Sequence, residues 1–545
     1  MDELSPLTAG SWHRDPATGH EFPLIKSSRV RLVDPEAQRD ARSVWERSRF
    51  TILPSLAAHS LLTGRPHGAE RCVTIVRSWI AENPVGRGVN WTVAMEVAIR
   101  AMNVALASSL LDSTLLTATT QSELDRFLLV HARWISRNLE RSDLLGNHLV
   151  TDLVGMFWLG CYFEGTRFGD RLVARSWPRA ADGLVAALDM GAPKEGSVPY
   201  QAFMFELALY AVRLANDRSL PIPARLPTSI DRTIDFLQAF STPEGHLVGI
   251  GDSDDGRLVR FGARPPRDIS ALLAALGRVD VTVKDASPSF ELECGLLRGA
   301  TLGRGVRQPA QSCLLGGWVR LHSASVDVWM RCDGRSLRGR GHAHADLLSV
   351  VINFHGNPLV VDPGNPRYGS SREERVAAIG AVAHNAPLLA PGGYALSEFY
   401  DLPGVEEVAA GAGLLAEEGC SAVRAYHDGY QGTLGARLHR EVRLSRTDAV
   451  IIDWTESTAL PPTSLTYTLA PGHFLNVVAP GVAVVAGRPD GRVITIRIRV
   501  GDRPVNLCAV ERPTYPTYGT CVLAPALIAD GFSLGPRPLQ TTIDL

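Results

Sequence analysis

The chain has 545 residues, of which 45% are hydrophobic and 21% are charged, so it is long and apolar enough to bury large cores. Its formal net charge of -2 excludes the strong basic excess that is typical of nucleic-acid-binding proteins. Eight scattered cysteines form no Cys-x-x-Cys pair, which disfavours a thiolate zinc site and fits a reducing compartment.

The N-terminus has neither a cationic start nor an apolar run, so it does not predict a secretory signal. No stretch of about 18 uninterrupted apolar residues occurs, and we therefore expect no membrane span. Together these features predict a cytoplasmic protein.

The first half of the chain shows the spacing of amphipathic helices, after an irregular, proline-containing wrap over residues 1–40. Helices are predicted over residues 41–62, 71–82, 91–111, 122–139, 148–163, 171–189, 202–215 and 229–240. Such a run of helices joined by short turns predicts stacked hairpins, as in a toroid or a solenoid. Regular solenoid families are disfavoured, because no fixed-period repeat is present.

A turn-rich acidic stretch, Gly249 to Gly256, follows the helices and could carry polar groups to a cleft. A calcium loop is disfavoured, because the terminal glutamate of an EF-hand is missing.

From about residue 290 the pattern changes to short, β-branched runs separated by turns. Strands are predicted over residues 326–331, 348–354, 359–361, 437–445, 450–454, 482–485 and 492–500. The Pro-Asp-Gly sequence at residues 489–491 predicts a tight hairpin between the last two strands.

Helices followed by strands predict an α+β multidomain protein, with the two kinds of element in separate domains. We place a helical domain at residues 41–285 and an antiparallel β-sandwich at residues 286–545.

A Gly-His-Ala-His-Ala-Asp sequence contains His342 and His344, and Asp362 and His384 follow shortly afterwards. If this stretch were an extended strand, the two histidines would face the same side, because side chains alternate. Two imidazoles beside carboxylates predict either a metal site or an acid/base site.

Two predicted helix starts add further candidates. Asn147 and His148 stand at one of them, where an asparagine often serves only as a cap. Tyr200 stands at the other, after a loop that contains Glu195, and a tyrosine in such a place often serves only in packing.

Taken together, these motifs resemble the heparinase II/III family of polysaccharide lyases. The matching blocks, in chain order, are Trp45 to Phe50, Asn90-Trp91 with Glu96 and Arg100, Gly146 to Leu149, Glu195 to Ser197 with Tyr200, Gly341 to Ser349, Val361 to Gly364, Arg375, and Ala383 to Asn385. The resemblance covers both halves of the chain. It implies an incomplete (α/α) toroid joined to a C-terminal antiparallel β-sandwich.

The resemblance also implies three sets of site residues. They are catalytic Tyr200, His342, Asn147 and His148, substrate-binding Arg100, Trp91, Arg49 and Glu195, and metal-binding His344, Asp362 and His384. Zn2+ is the metal of the best-known members, and another divalent cation is the alternative. Two positions depart from the pattern of some members, since Thr151 replaces a glutamate and Gln201 replaces a histidine. The substrate is therefore left open.

The implied reaction is a β-elimination, which removes the C5 proton of a uronic acid and expels the oxygen at C4. Asn147 and His148 would neutralise the carboxylate. Tyr200 would be the general acid, and also the base when both groups share a face, while His342 would be the base for the opposite face. A base role for Tyr200 requires a lowered pKa, which a cationic histidine or Arg100 would provide.

The strand pattern raises a geometric difficulty for the metal ligands. A hairpin built on strand 348–354 would place Asp362 opposite residue 350, several residues from His344. We therefore expect a bend at Gly341 to Asp346, or a different register.

Three alternatives remain open from the sequence. One is a biosynthetic enzyme of the same fold that acts on a uronate-bearing small molecule or glycan precursor, and another is a non-catalytic glycan-binding protein. The third is a toroid-type glycoside hydrolase, for which Asp252, Asp254 and Glu195 are the candidate carboxylates. The expected partner is an acidic oligo- or polysaccharide, and a homodimer is a further expectation left open.

Overall fold

The computed structural model describes residues 12–34, 36, 39–111, 116–141, 146–278, 287–298, 312–334, 342–391, 393–394, 408–417, 420–458 and 460–544. The predicted domain boundary at residues 285 and 286 and the first motif residue, Gly341, lie outside these residues. Within them, helices come first and antiparallel sheets follow, so the predicted fold class is confirmed.

The helical half, as we call the part that precedes the sheets, contains helices over most of its length. They are α1 (Ala41–Ser48), α2 (Leu53–Thr63), α3 (His67–Glu82), α4 (Ala94–Leu110), α5 (Ala118–Arg137), α6 (Asn147–Tyr162), α7 (Arg167–Leu188), α8 (Val198–Asp217), α9 (Arg225–Ala239), α10 (Ser270–Ala275) and α11 (Pro288–Leu297). The stretch predicted as a wrap contains a short 3-10 helix and the strand pair β1 (Val33–Asp34) and β2 (Arg39–Asp40).

Most of the described helices pack on one another around one large apolar core. Helix α4 contacts α2, α5 and α6, and α6 contacts α7 and α8. Helices α4 and α6 approach closely at Gly155, where an added Cβ would lie 2.6 Å from the Cβ of Ala98. Trp79, Phe157 and Phe205 are among the fully buried members of this core.

The single helix predicted over residues 41–62 is wrong, because the structure divides it into α1 and α2. Phe50 lies between them with a φ of 59°, a left-handed conformation that an α-helix cannot contain. Pro54 then stands in the first turn of α2, where its missing N–H is tolerated.

The described residues of the β half, as we call the remainder, form three sheets. Its strands are β3 (Cys313–Leu315), β4 (Trp318–His322), β5 (Val326–Arg331), β6 (Val350–Phe354), β7 (Asn357–Val360), β8 (Pro387–Leu388), β9 (Ala410–Glu417), β10 (Cys420–His427), β11 (Leu438–Leu444), β12 (Asp448–Trp454), β13 (Thr463–Thr468), β14 (Phe474–Ala479), β15 (Val482–Ala486), β16 (Ile494–Val500), β17 (Arg503–Pro504), β18 (Asn506–Thr517), β19 (Thr520–Phe532) and β20 (Leu539–Asp544). Two short helices, α12 (Arg372–Ile379) and α13 (Gln431–Leu434), lie between strands.

The strand order shows how the sandwich is built. Strands β3 to β7 form one sheet in sequence order, and β18-β19-β13-β8 form the second. The third follows the order β14-β15-β16-β20-β12-β11-β10-β9, with β17 paired to β16. The predicted hairpin joins β15 to β16, and the three isoleucines of β16 all face the core. Among the described residues, no helix has the length and apolar character needed to cross a membrane.

The bend required by the metal ligands lies just ahead of β6. Leu348 has a φ of 62°, and Leu347 pairs with Arg331 in a parallel bridge instead of continuing β6. Arg440 donates a hydrogen bond to the carbonyl oxygen of Leu348 at 2.7 Å, which holds the bend from within the sandwich. The chain from His342 to Ser349 therefore forms a loop at the edge of the β half that faces the helical half.

Candidate active site and metal site

Tyr200 lies in the first turn of α8, and a serine cap fixes its position. The Ser197 hydroxyl accepts a hydrogen bond from the backbone N–H of Tyr200 at 3.2 Å. The same hydroxyl donates to the carbonyl oxygen of Asp252 at 2.6 Å. The start of α8 is thus tied to the acidic stretch at residues 249–256.

Tyr200 meets two residues of the β half. Its ring stacks on the imidazole of His342, with centroids 3.7 Å apart and an angle of 17° between the planes. Its hydroxyl lies 2.8 Å from the hydroxyl of Tyr368, a residue that sequence reasoning missed because no motif surrounds it. The junction between the halves therefore brings Tyr200 and His342 together.

The electrostatic surroundings of Tyr200 correct one expectation. Burial raises the pKa of Tyr200 well above its ordinary value, and the nearby Asp254 carboxylate raises it further, although the hydrogen bond with Tyr368 acts in the opposite direction. The lowered pKa that a base role requires is therefore absent in this state. Tyr200 is held as a protonated phenol, which is the form that a general acid needs.

Asn147 is the first residue of α6, and it holds the side chain of Glu195. The Asn147 backbone N–H donates to Glu195 Oε1 at 3.1 Å, and its side-chain amide donates to Oε2 at 3.3 Å. Glu195 Oε2 also lies 3.7 Å from Nε2 of His342. A carboxylate is stable at this place, because the first N–H groups of a helix are unpaired and the helix dipole is positive there.

His148 follows Asn147 and is about half exposed. Its Nδ1 lies 2.9 Å from Oε1 of Glu140. Partial burial lowers the pKa of His148, but the Glu140 carboxylate raises it, and the net result is a pKa above the ordinary value. His148 can therefore present a positive charge beside Asn147.

Arg49 borders a cavity next to Tyr200, and Phe203 and Asp254 also line it. The Arg49 guanidinium is buried and donates to both oxygens of Glu96 at 2.7 and 2.6 Å. The predicted substrate-binding residues Arg49 and Glu195 thus lie at the junction, although both already have partners.

Trp91 and Arg100 are not brought to the junction. Both are buried in the helical core, where the Arg100 guanidinium donates to His131 at 3.0 Å and lies 4.3 Å from the ring centre of Trp79. Arg100 therefore cannot act on Tyr200 in the way the sequence suggested. Nothing in the local pattern distinguishes a residue that builds the wall of the site from one that touches a ligand.

The three predicted metal ligands lie together. One ligand atom from each of His344, Asp362 and His384 falls within 4.8 Å of the others. Nδ1 of His384 is 2.9 Å from Oδ2 of Asp362, while no described residue offers a hydrogen bond to the buried Nδ1 of His344. Two imidazoles and a carboxylate are a donor set that zinc accepts, and a buried nitrogen without a partner fits a missing ligand. The identity of the metal stays a prediction.

Burial and mutual attraction shift the pKa values of Asp362 and His384. Burial raises the pKa of Asp362, but the neighbouring His384 lowers it, and the net result is a pKa below the ordinary value. Burial lowers the pKa of His384, but Asp362 raises it, and the net result is a pKa above the ordinary value.

Asp252 connects the two groups of residues. It is fully buried, and its carboxylate lies 3.3 Å from Nδ1 of His342 and 2.9 Å from Nε2 of His344. Arg375 donates to both oxygens at 2.7 and 2.6 Å. Burial alone would raise the pKa of Asp252, but Arg375 and the two histidines hold it well below its ordinary range. The sequence singled out these residues separately, but it did not predict that Asp252 contacts the other three.

The fold, an α-helical toroid joined to an antiparallel β-sandwich, is shared with several solved polysaccharide lyases. Heparinase III matches with a TM-score of 0.66 at 14% identity, covering 94% of this chain and 78% of that one. Heparan sulfate lyase HepC from Pedobacter heparinus matches with a TM-score of 0.60 at 15% identity, covering 93% and 77%. The Streptomyces coelicolor A3 chondroitin AC lyase, in complex with chondroitin sulphate, has a TM-score of 0.51 at 13% identity, covering 90% and 74%. At these identities the likeness establishes the fold.

The sequence of the β half also matches a family model. Residues 306–543 match the family model for the C-terminal domain of heparinase II/III-like proteins. This match agrees with the resemblance found in the motifs of the chain. No curated protein sequence matches the chain.

Proposed function

We propose that the protein is a polysaccharide lyase that cleaves a uronic-acid-containing glycan or glycoconjugate by β-elimination. The stacking of Tyr200 on His342 at the junction carries this proposal, because it places a phenol and an imidazole side by side. The lyases of the same fold, which are named for heparan sulfate and chondroitin, support it.

Recognition of the uronate carboxylate is assigned to the start of α6. An elimination of this kind needs its carboxylate neutralised, so that negative charge can build up during removal of the C5 proton. The backbone and side-chain N–H groups of Asn147 already hold the carboxylate of Glu195, which supports a carboxylate-binding role for this helix start. His148, with its raised pKa, adds a positive charge beside them.

The two proton transfers are assigned to different residues. Nε2 of His342 accepts the C5 proton, the electrons of that bond form the C4–C5 double bond, and the C4–O bond breaks. The Tyr200 phenol then protonates the leaving oxygen, and the raised pKa of this phenol favours the acid role. Such a general acid or base contributes about 10²–10⁴-fold. The Tyr368 hydroxyl, 2.8 Å away, offers Tyr200 a route to regain its proton.

A divalent cation, with zinc favoured by the donor set, would be held by His344, Asp362 and His384. Bound there, it would supply a fixed positive charge that braces the loop carrying His342. The proton transfers themselves remain with His342 and Tyr200.

A glycoside hydrolase is less well supported by the carboxylates. Such an enzyme needs one carboxylic acid that can donate a proton. Asp252 is bound by Arg375 and Asp254 by Arg42, both at 2.6 Å, and the pKa of both carboxyls is held low against the effect of burial. Glu195, the third candidate, accepts hydrogen bonds from the backbone and side-chain N–H groups of the first residue of α6.

The test is to incubate the protein with a panel of heparan, chondroitin, hyaluronan and oligo-uronate chains and to follow the ultraviolet absorbance of unsaturated uronate. We expect turnover by the wild type and a loss of about 100-fold or more in Tyr200→Phe. Tyr210→Phe is the matched control. This tyrosine lies on the same helix, is buried against Trp158, and no described residue hydrogen bonds to its hydroxyl, so activity should persist.

Two results would contradict the proposal. One is the absence of unsaturated product from every chain in the panel, and the other is equal turnover by wild type and Tyr200→Phe.

A further inference from the structure

We propose that Asp252 is a positioning residue that fixes the tautomers of two histidines with different tasks, His342 beside Tyr200 and His344 in the metal site. The inference rests on the proposed function, since both tasks belong to that site.

The argument begins with the charge of Asp252. The side chain is fully buried, and the Arg375 guanidinium donates to both of its oxygens. This pairing keeps the carboxylate ionised, and an ionised carboxylate can only accept hydrogen bonds. Each imidazole nitrogen that faces Asp252 must therefore carry a hydrogen. These nitrogens are Nδ1 of His342 at 3.3 Å and Nε2 of His344 at 2.9 Å.

The nitrogen that carries the lone pair in each ring is then fixed. A neutral imidazole carries one hydrogen, so His342 keeps the lone pair on Nε2 and His344 keeps it on Nδ1. Nδ1 of His344 is the buried nitrogen that no described residue satisfies, beside Asp362 and His384. A histidine that binds a metal commonly donates its other N–H to a carboxylate, and Asp252 provides that carboxylate here.

The tautomer with its hydrogen on Nδ1 suits His342 to accept a proton on Nε2. Its free Nε2 lies on the side of Glu195, 3.7 Å from Oε2. The ring of His342 thus lies between two carboxylates, with Asp252 on the Nδ1 side and Glu195 on the Nε2 side. One carboxylate thus directs one histidine towards proton transfer and the other towards a metal.

Asp252 belongs to the helical half, whereas both histidines belong to the β half. Its backbone N–H donates to the carbonyl oxygen of His342 at 2.9 Å, and its own carbonyl accepts from Ser197, the cap of the Tyr200 helix. Gly251, with a φ of 79°, leaves no room for a Cβ, which would collide with the carbonyl oxygen of Gly196. This close contact sets the position of Asp252 relative to Tyr200 as well as to the two histidines.

The variant Asp252→Asn tests the proposal, because an amide offers an acceptor on one side and donors on the other. The amide can accept a hydrogen bond from only one of the two imidazoles, so only one of them can keep its wild-type tautomer. We expect the affinity for Zn2+, measured by competition with a chromogenic chelator, to fall about 10–100-fold. We also expect the decrease in kcat to be larger, as a factor, than any change in KM. In the metal-free protein labelled with 15N-histidine, one of the two assigned imidazoles should change its protonated nitrogen.

Glu206→Gln is the matched control. Glu206 is also fully buried and is paired with an arginine, Arg257, at 2.9 Å, but it lies within the helical core. We expect this variant to lose stability while its Zn2+ affinity and histidine tautomers stay at the wild-type values.

The proposal is overturned if folded Asp252→Asn keeps both tautomers and the wild-type Zn2+ affinity. It is also overturned, with no variant needed, if wild-type spectra place the hydrogen of His344 on Nδ1 or that of His342 on Nε2. A wild type that binds no Zn2+ and forms no unsaturated uronate would instead remove the proposed function. The tautomers are measured independently of that outcome.

Discussion

Asn385 shows how a residue next to a metal position can serve the backbone. It is fully buried, and its side-chain N–H groups donate to the carbonyl oxygens of Val350 and Val361, both at 2.9 Å. Its side-chain oxygen accepts from the N–H of Thr468 at 2.8 Å. One amide therefore joins β6, the chain after β7, and β13, and this junction carries His384 at the metal position.

We expect Asn385→Ala to lower the free energy of unfolding by at least about 2 kcal/mol, because each buried backbone group left without a partner costs about 1–3 kcal/mol. Urea denaturation measures this loss. Asn476→Ala on the exposed strand β14 is the control and should stay within about 0.5 kcal/mol of the wild type. Equal destabilisation by the two changes would contradict the bridging role of Asn385.

At the residue scale, the sequence predicted site residues that lie close together along the chain, but it did not predict contacts between residues that are far apart in sequence. His344, Asp362 and His384 stand in compact motifs, and the structure places them together. The partnership of Asp252 with His342 spans 90 residues and two domains, so no local pattern reports it. Trp91 was named from a motif, although its indole is buried in the helical core.

At the scale of elements, hydrophobic spacing located the helices but not their interruptions. The helix predicted over residues 202–215 runs from Val198 to Asp217, and it begins earlier than predicted because Ser197 caps its start. The left-handed conformations of Phe50 and Leu348 are set by tertiary packing, and propensity gives no sign of them. These two residues end α1 and delay β6, and the second of them creates the loop that carries His342.

Helix α6 contains a buried carboxyl that couples stability to pH. Asp152 is fully buried, and one of its oxygens accepts from the backbone N–H of Glu140 at 2.8 Å. Burial, with a smaller contribution from the Glu140 carboxylate, raises the pKa of Asp152 to about 8.

Because the folded state holds this proton more tightly than the unfolded state, stability falls as pH rises from about 4 to about 8. Each pKa unit corresponds to about 1.4 kcal/mol, so Asp152→Asn should become progressively more stable than the wild type across that window. Urea unfolding at a series of pH values measures the difference. Asp182→Asn, on the exposed side of α7, should show no such trend. If the difference in the free energy of unfolding between Asp152→Asn and the wild type is the same at every pH, Asp152 does not couple stability to pH.

At the scale of the whole molecule, polar contacts hold the two halves together. The Tyr518 hydroxyl, at the turn between β18 and β19, donates to Asp40 at 2.6 Å and accepts from the N–H of Tyr368 at 2.9 Å. Its backbone N–H donates to Asp255 at 2.6 Å. Tyr518 thus connects the start of α1 and the acidic stretch with the loop that places Tyr368 beside Tyr200.

We expect Tyr518→Phe to loosen the halves, because it removes one hydroxyl that bonds across the junction. Scanning calorimetry should show a broadened or divided unfolding transition. Tyr515→Phe is the control, since the Tyr515 hydroxyl donates to Glu374 at 3.0 Å within the β half. If Tyr518→Phe unfolds in a transition as narrow as that of Tyr515→Phe, the cross-junction contact contributes little.

The hydrogen bonds from Asn147 to Glu195 have a consequence for substrate selectivity. In a lyase of the proposed kind, substrate binding at α6 exchanges one anion for another, and the measured affinity is the difference between two similar interactions. A methyl-esterified uronate lacks the charge needed to displace Glu195 and should compete poorly. Free acidic chains would bind with modest strength and depart readily after cleavage. The resident glutamate would thus favour turnover over retention of substrate.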